Sequence, residues 1–341
     1  MVQAYGADTD NGSADRPQPA GPRFRGLVDR LRGDRGIWRR GIVLALCSVL
    51  LTLLMAVHAK VPNRLGNLGS LIETFLPWIA LLLPVLLVLG LLRRSATALV
   101  ALLLPAVVWL NVFGGLLTDK SGSGGDLTVA THNVNAGNPD PEGTAQQVAG
   151  SGADVVALQE LPGRKVFTYE KALADRYPYH SVQGTVGLWS KYPLADTRPV
   201  DLKMGWTRAM RSTVRAPQGD VAVYVAHLPS VRVKLQAGFT ANQRDNSADA
   251  LGEAIADEPV DRVVLLGDLN GTMNDRSLNA VTSQMRSTQG AAGDGFGFSW
   301  PASFPMARID QIMVKGVEPT SSWTLEATDS DHLPIAARVE F

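Results

Sequence analysis

The residues of this chain that can do chemistry stand where short apolar stretches of its second half come to an end. Six such ends carry carboxylates, amides or imidazoles: Thr131–Asn135, Gln159–Glu160, His227, Asp268–Asn270, Asp310 and Asp331–His332. Carboxylate and amide oxygens are hard ligands, which suit Mg²⁺, Mn²⁺ or Ca²⁺. A histidine beside an aspartate can serve as a general base with an orienting partner. The residue types therefore indicate an oxygen-lined cation site with a histidine base.

A disulfide framework and a cysteine-based structural zinc site are excluded by the composition. Cys47 is the only cysteine in 341 residues. A single cysteine can form no intrachain disulfide, and a cysteine-based structural zinc site needs several.

The elements that position these polar ends are predicted from short, β-branched runs of five to eight residues, which are typical of strands. The predicted strands are Leu127–Val134, Asp154–Leu158, Val186–Ser190, Met210–Ala216, Val221–His227, Arg262–Leu266, Arg308–Val314 and Ile335–Phe341. Amphipathic stretches predict helices at Gly143–Gly150, Tyr169–Arg176, Gln236–Ala256 and Asp275–Gln284. Because strands follow strands in the middle, the pattern favours mixed sheets in two packed layers with helices outside.

Taken singly, the polar residues have ordinary structural roles. Asn135 and Asn138 are typical turn formers, His132 is typical of a structural hydrogen-bonding histidine, and Glu160 is typical of a solvated loop. Their joint order along the chain is more informative than any one of them.

That order resembles the endonuclease/exonuclease/phosphatase superfamily. The matching segments are THNVNAG (131–137), LQEL (158–161), LWSKYPL (188–194), AHLPS (226–230), LLGDLNGT (265–272), RIDQIMV (308–314) and SDHLPI (330–335). A GDLN followed by a C-terminal SDHLP is a specific combination, whereas either tetrapeptide alone is weak. The resemblance implies a four-layered α/β sandwich of two mixed, DNase I-like sheets flanked by helices, over residues 126–341.

The same resemblance implies a role for each residue of the site. Asn133 and Glu160 would hold Mg²⁺ or Mn²⁺, with Asp331 as a further metal contact. Asp268 and Asn270 would address the phosphate, the attacking water or the leaving oxygen, and His227 would donate to a phosphate oxygen. His332, oriented by Asp310, would be a general base or a transition-state stabiliser. Arg244 is the preferred phosphate contact among Arg208, Arg211 and Arg244. The implied activity is metal-dependent hydrolysis of a phosphoester, of the phosphodiesterase or endonuclease type.

The first half of the chain is predicted to be a membrane anchor. Three uncharged apolar runs cover residues 41–58, 75–92 and 96–117. Each reaches the ~18–20 residues that a helix needs to cross a hydrocarbon core. The first run alone also fits a signal peptide that ends near Ala59, but it is longer than the usual apolar region and two more runs follow. Three transmembrane helices are therefore expected.

The arginines flanking these runs predict the orientation. Arg39–Arg40 precede the first run and Arg93–Arg94 separate the second from the third. The positive-inside rule places both pairs in the cytoplasm. A disordered, arginine-rich tail at 1–40 is then cytoplasmic, and a Gly/Ser linker at 118–125 leads to an extracytoplasmic domain. The protein is expected to be a multi-pass protein of the cell membrane, with the lipid bilayer as a partner.

The charge of the two halves bears on the substrate. Residues 1–118 hold 12 Lys and Arg against 6 Asp and Glu, and residues 119–341 hold 20 against 26. A domain with a balance of −6 and no basic stripe is unlike a dedicated duplex binder. A nucleic acid, a lipid headgroup and a small phosphodiester all stay open as substrates, and nothing indicates an obligate protein partner. The alternative function is a catalytically inactive binding module anchored at the surface. Every key position of the family pattern is filled, which argues against this alternative.

Overall fold

Apolar helices open the part of the chain that this computed structural model describes, which is residues 36–63, 67–230 and 238–341. The helices are α1 (Ile42–Val57), α2 (Leu68–Thr74), α3 (Leu82–Leu92) and α4 (Ala96–Phe113). Extended by short 3-10 turns, Ile42–Lys60 and Ala96–Leu116 are two helices long and apolar enough to cross a membrane by length and composition. The predicted tail at 1–40 lies outside the described residues except for 36–40.

The run predicted as a membrane-spanning helix at 75–92 is helical over Leu76–Leu92, and a bend separates it from α2. A 3-10 segment (Leu76–Leu81) precedes α3, and the axis turns by 72° between α2 and the helical segment Leu76–Leu92. Pro77 stands in the first turn of the 3-10 segment. Proline lacks an N–H and is tolerated in the first turn of a helix, where that N–H would have no intrahelical partner, so Pro77 fits the start of this segment. A third span exists only if this bent pair counts as one.

The first of two mixed sheets contains both ends of the folded domain. Its strands are β1 (Leu127–Asn133), β2 (Val155–Gln159), β3 (Tyr179–Gln183), β4 (Val186–Ser190), β11 (Glu318–Thr324) and β12 (Ile335–Glu340), in the order β11-β12-β1-β2-β4-β3. β1 runs parallel to β2 and antiparallel to β12. The carboxyl ends of β1 and β2 therefore meet the loop that leads into β12.

The second sheet has the same number of strands. They are β5 (Leu194–Pro199), β6 (Ala209–Ala216), β7 (Gly219–His227), β8 (Val263–Asp268), β9 (Arg286–Ser287) and β10 (Asp310–Lys315), in the order β5-β6-β7-β8-β10-β9. β7 and β8 are parallel, and β10 is antiparallel to β8. The start of β10 therefore lies beside the ends of β7 and β8.

The central strands are apolar on both faces because both faces are covered. In β8, Val264 and Leu266 pack into the core between the sheets, while Val263 and Leu265 pack under the outer helices. Alternate side chains of a strand point to opposite faces. Such strands read as continuous apolar runs, which is why they were predicted from sequence.

Helices cover the outer face of each sheet, which completes four layers. Helices α5 (Pro141–Gly150) and α6 (Val166–Leu173) pack on the first sheet, and α7 (Gly238–Ala256) and α8 (Asn279–Thr282) pack on the second. Helix α9 (Thr288–Ala292) follows β9. The two mixed sheets flanked by helices confirm the predicted fold class.

Four strands escaped prediction, namely β3, β5, β9 and β11. β3 and β5 carry mostly half-buried or exposed side chains. Edge strands present one side to solvent and need no continuous apolar run, so their pattern is weak. The predicted helix at Asp275–Gln284 is a 3-10 turn followed by the short α8.

Candidate active site

The register of the second sheet brings three predicted site residues side by side. His227 at the end of β7 is paired with Asp268 at the end of β8, and Asp268 is paired with Asp310 at the start of β10. Residues paired in register lie on neighbouring strands within side-chain reach. The strand pairing therefore assembles an imidazole and two carboxylates from three distant parts of the chain.

Gly267 permits the close packing of β7 against β8 beside these residues. Its φ is +150°, and a Cβ built there would lie 1.9 Å from the carbonyl oxygen of Ala226. No side chain can occupy that position without moving backbone. The glycine of the GDLN segment is thus needed to place Asp268.

The first sheet contributes an amide and a carboxylate. Asn133 ends β1, and its Nδ2 donates to Oε1 of Glu160 at 3.2 Å and to Oδ2 of Asp268 at 3.0 Å. Glu160 adopts a left-handed conformation, with φ of +60°, and its Oε2 accepts from the N–H of Ala136. A non-glycine residue held in that conformation costs energy and is typical of functional sites. Asn133 thereby connects the two sheets at the site.

His332 is oriented by a buried carboxylate. Its Nδ1 lies 2.9 Å from Oδ2 of Asp310, which also accepts from Oγ of Ser299 at 2.6 Å. With Asp310 ionised, Nδ1 carries the hydrogen of this bond. Nε2 then lies 3.9 Å from Oδ2 of Asp268.

Two serines support this arrangement and were missed by sequence reasoning. Ser299 binds Asp310, and Oγ of Ser330 donates to the carbonyl of Asn133 while it accepts from the N–H of His332. Ser330 stands in the SDHLP segment and could have been selected from it. Ser299 lies outside every matching segment and carries no local signal.

Burial and neighbouring charge separate the protonation states of the site. Burial raises the pKa of Asp268 to about 7, and the charge of Asp310 adds to this effect. Burial alone would lower the pKa of His332, but the carboxylates of Asp310, Asp268 and Asp331 outweigh it and raise that pKa to about 10. Burial, with the charge of Arg208, holds the pKa of His227 well below its usual value. Near neutral pH His332 is therefore a cation and His227 is neutral.

These residues surround a cleft of about 750 Å³. Six of the predicted site residues line it: Glu160, His227, Asp268, Asn270, Asp331 and His332. Asn270 donates its backbone N–H to Asp268, and Asp331 accepts from the side chain of Asn135 at 2.9 Å. The other two predicted residues, Asn133 and Asp310, are buried and bond directly to Asp268 and His332. The structure therefore brings all eight together.

Arg244 is the exception and corrects the prediction of a phosphate contact. It is fully buried, its Nη1 lies 2.8 Å from Oδ2 of Asp275, and it is not among the residues that line the cleft. A buried guanidinium needs a carboxylate partner, which Asp275 supplies. Arg211 is likewise paired, with Glu258. Arg208 lines the cleft instead and lies over the ring of Trp206.

His132 is structural, as predicted for a lone histidine at a strand end. Its Nε2 lies 2.9 Å from Oγ1 of Thr328. Complete burial lowers its pKa to about 3, so the ring stays neutral.

The donors at the floor of the cleft fit a hard divalent cation. Glu160 and Asp331 both present carboxylates to the cleft, and Asn133 lies beside Glu160, to which its Nδ2 donates while its Oδ1 accepts from the N–H of Asn135. A second set, Asp268, Asp310 and His332, has ligand atoms within 4.8 Å of one another. Asp310 and His332 are already bonded to each other in that set, so the half-buried carboxylate of Glu160, which lines the cleft, is the better-placed ligand.

A family model and several solved structures match this chain. The family model described as "Endonuclease/Exonuclease/phosphatase family" matches residues 130–332. No curated protein matches the chain at a significant level. The match to the family model covers more than half of the chain.

Similar solved structures share the fold at low sequence identity. An endonuclease/exonuclease/phosphatase from Bacteroides vulgatus is 17% identical, covers 63% of this chain and 98% of its own, and has a TM-score of 0.53. A mannosyl-6-phosphatase from Bacteroides thetaiotaomicron is 18% identical, with coverage of 63% and 100% and a TM-score of 0.52. D. rerio TDP2 complexed with single strand DNA product is 18% identical, with coverage of 63% and 99% and a TM-score of 0.54.

Proposed function

Because this chain belongs to the endonuclease/exonuclease/phosphatase family, we propose that it is a divalent-metal-dependent hydrolase of phosphoester bonds. The observation that carries the proposal is the continuous network from Glu160 through Asn133 to Asp268, with the His332–Asp310 pair beside it. Hydrolysis of a phosphoester needs an in-line water, a proton acceptor and positive charge near the phosphate. The cleft contains side chains for each of these tasks.

Asn133, Glu160 and Asp331 would hold Mg²⁺ or Mn²⁺. When bound, the cation supplies Lewis-acid polarisation of a phosphate oxygen. Glu160 is the principal ligand in this proposal, since its carboxylate faces the cleft and its backbone is held in a left-handed turn.

Asp268 and Asn270 would position the attacking water, and Asp268 would accept its proton. The water oxygen forms the new bond to phosphorus while the bond to the leaving oxygen breaks. His332 carries positive charge because Asp310 and Asp268 flank it, and its Nε2–H stabilises the charge that develops on the phosphoryl group. His227 and Arg208 donate to phosphate oxygens.

We further propose that the enzyme is anchored in the cell membrane, with its N-terminus in the cytoplasm and its catalytic domain outside. The arginine pairs Arg39–Arg40 and Arg93–Arg94 support this orientation. The contacts with the catalytic domain come from the opposite ends of the apolar helices, through Val61, Trp78 and Gly115. Those ends are the ones predicted to face outward.

Hydrolysis of bis-p-nitrophenyl phosphate by the purified full chain tests the proposal. We expect activity with Mg²⁺ or Mn²⁺ and none with EDTA. Absence of hydrolysis with either cation, by folded protein, would contradict the enzyme and favour the inactive binding module.

A further inference from the structure

We propose that helix α2 forms a wall of the catalytic cleft and that this wall selects a phosphoester carried on an apolar chain in the bilayer. The inference rests on the proposed function, since it concerns the same site and names its class of substrate. It starts from the placement of an anchor helix against catalytic residues.

Residues of α2 and its end line the same cleft as Asp268 and His332. They are Ser70, Leu71, Thr74 and Phe75. Positions 70, 71, 74 and 75 share one face of a helix, because residues four apart in sequence lie above one another. Leu71 is 36% exposed although it is apolar, and Phe75 is half-buried. Leu71 and Phe75 on this face therefore border a polar catalytic floor, next to the hydroxyl groups of Ser70 and Thr74.

The catalytic domain holds α2 through hydrogen bonds at several points. Arg244 donates from Nη2 to Oγ of Ser70 at 3.1 Å and from Nη1 to the carbonyl of Asn270 at 2.9 Å. Oγ1 of Thr272 donates to the carbonyl of Glu73 at 3.3 Å. Arg244 therefore joins the helix to Asn270 of the site, which explains its burial.

The segments on either side of α2 are also fixed to the catalytic domain. Before α2, Nη1 of Arg276 donates to the carbonyl of Val61 at 2.6 Å. After α2, Nε1 of Trp78 donates to the carbonyl of Met306 at 2.7 Å, and the Trp78 ring stacks on Phe298. The wall thus belongs to the folded site, and its position is set by the domain as well as by the anchor.

The predicted linker at 118–125 is also hydrogen-bonded to the catalytic domain. The N–H of Gly122 donates to the carbonyl of Thr320 in β11 at 2.6 Å. Nζ of Lys120 donates to the carbonyls of Gly115, which follows α4, and Gly290. The cleft is consequently held where α1 ends and α3 begins, which is the level of the bilayer surface in the proposed topology.

Over the residues that the structure describes, the lining of the cleft has more acidic than basic side chains. Among its lining residues that the structure describes, Arg208 is the one arginine or lysine, whereas Glu160, Asp268 and Asp331 are acidic. Nucleic-acid sites neutralise successive phosphates with several basic residues. A single phosphate attached to an alkyl chain fits better, because its head meets Arg208 and His227 while its chain lies along Leu71 and Phe75.

Two substrates that release the same leaving group test the inference: p-nitrophenyl ethyl phosphate and p-nitrophenyl hexadecyl phosphate. The enzyme is the full chain in lipid nanodiscs. We expect the long-chain ester to have the higher kcat/KM. Replacing an apolar contact in a substrate pocket costs about tenfold or more in kcat/KM. Leu71→Ser and Phe75→Ser should therefore lower the ratio of long-chain to short-chain kcat/KM by about tenfold.

Leu68→Ser is the matched control, because Leu68 is an exposed leucine of the same helix that does not line the cleft. It should keep the wild-type ratio. The long-chain ester partitions into the bilayer in the same way for every variant. This effect therefore cancels when the kcat/KM ratios of the variants are compared. Leu71→Gln, which keeps the side-chain volume, replaces Leu71→Ser if serine lowers the melting temperature.

The outcomes separate the inference from the function on which it rests. Wild-type ratios in the Leu71 and Phe75 variants, with the ethyl ester still hydrolysed, would overturn the inference and leave the hydrolase intact. Hydrolysis of neither ester would contradict the hydrolase and the inference together. Nanodiscs containing either a diacyl phospholipid or an isoprenyl phosphate then identify the carrier, and cleavage of neither overturns the inference.

Discussion

Nδ1 of His332 lies 2.9 Å from Oδ2 of Asp310, a residue 22 positions earlier in the chain. Both side chains are buried, and Asp310 is held in addition by Ser299. The bond joins the loop before β12 of the first sheet to β10 of the second. The imidazole is therefore oriented by the packing of the two sheets on each other.

Removal of this imidazole should abolish most of the activity. We expect His332→Ala to lower kcat by roughly two or more decades, the usual cost of removing a preorganised donor that stabilises transition-state charge. Asp310→Asn should also lower kcat, because it removes the carboxylate charge that orients His332 and raises its pKa. The double variant should lose much less than the product of the single losses, since the pair acts as a unit. Circular dichroism checks folding, and a folded His332→Ala enzyme with wild-type turnover would refute the role.

Metal dependence should reside mainly in Glu160. Activity is expected to vanish with EDTA and return on addition of Mg²⁺ or Mn²⁺. Glu160→Gln keeps the size of the side chain but removes its charge, so the Mg²⁺ concentration for half-maximal activity should rise. A metal titration of turnover measures this shift. Full activity of Glu160→Gln at limiting Mg²⁺ would remove Glu160 from the site.

Replacement by methionine should have different effects at Arg208 and at Arg244. Arg208 lines the cleft, whereas Arg244 is buried against Asp275. We expect Arg208→Met to lower kcat/KM by about tenfold or more at nearly unchanged melting temperature, because a charge-assisted bond to phosphate is worth roughly 1.5–3 kcal/mol. Arg244→Met should instead lower the melting temperature, since it leaves Asp275 buried without its guanidinium partner. Equal loss of stability in both variants would contradict the assignment of Arg208.

The buried pair of Arg211 and Glu258 should make a large, acid-sensitive contribution to stability. The two side chains form a double hydrogen bond, at 2.9 and 2.6 Å. Burial alone would raise the pKa of Glu258, but the hydrogen bonds from Arg211 and Tyr224 outweigh it and lower that pKa. Removal of one partner of a buried pair costs about 3–5 kcal/mol, so Glu258→Gln should lower the melting temperature markedly at neutral pH.

The pH dependence of that effect follows from the sign of the shift. A depressed carboxyl pKa stabilises the fold fully above the unfolded value of 4.5 and loses this contribution as the pH falls through the folded value. The difference in melting temperature between wild type and Glu258→Gln should therefore shrink below about pH 4.5. Glu318→Gln is the control, because the Arg286–Glu318 pair is exposed and such pairs contribute less than about 1 kcal/mol. A pH-independent difference would contradict the linkage.

Fusions at the C-terminus test the proposed orientation. Alkaline phosphatase fused after Phe341 should be active, and green fluorescent protein at the same place should be dark. The arginine pairs at Arg39–Arg40 and Arg93–Arg94 are the physical basis of this expectation. The reverse pattern would contradict an extracytoplasmic catalytic domain.

Much of the fold was predictable because its central strands are covered on both faces. Strands such as β7 and β8 present unbroken apolar runs that end in polar residues, and a run of this kind is visible in one sequence. The order of the polar ends also indicated the family. The edge strands β3 and β5 were missed because solvent, as well as the core, contacts their side chains.

The sequence alone determined which residue types the site would contain and at which strand ends they would stand, since local patterning sets the strands and their termini. The tertiary structure decided which partners those residues have. It placed Arg208 in the cleft and paired Arg244 with Asp275, although the two side chains carry the same charge and the sequence does not distinguish them. It also brought Leu71 of an anchor helix beside the catalytic residues. The partner of a side chain depends on segments that are distant in sequence and come into contact only when the sheets and helices pack. No local sequence pattern predicts such a contact.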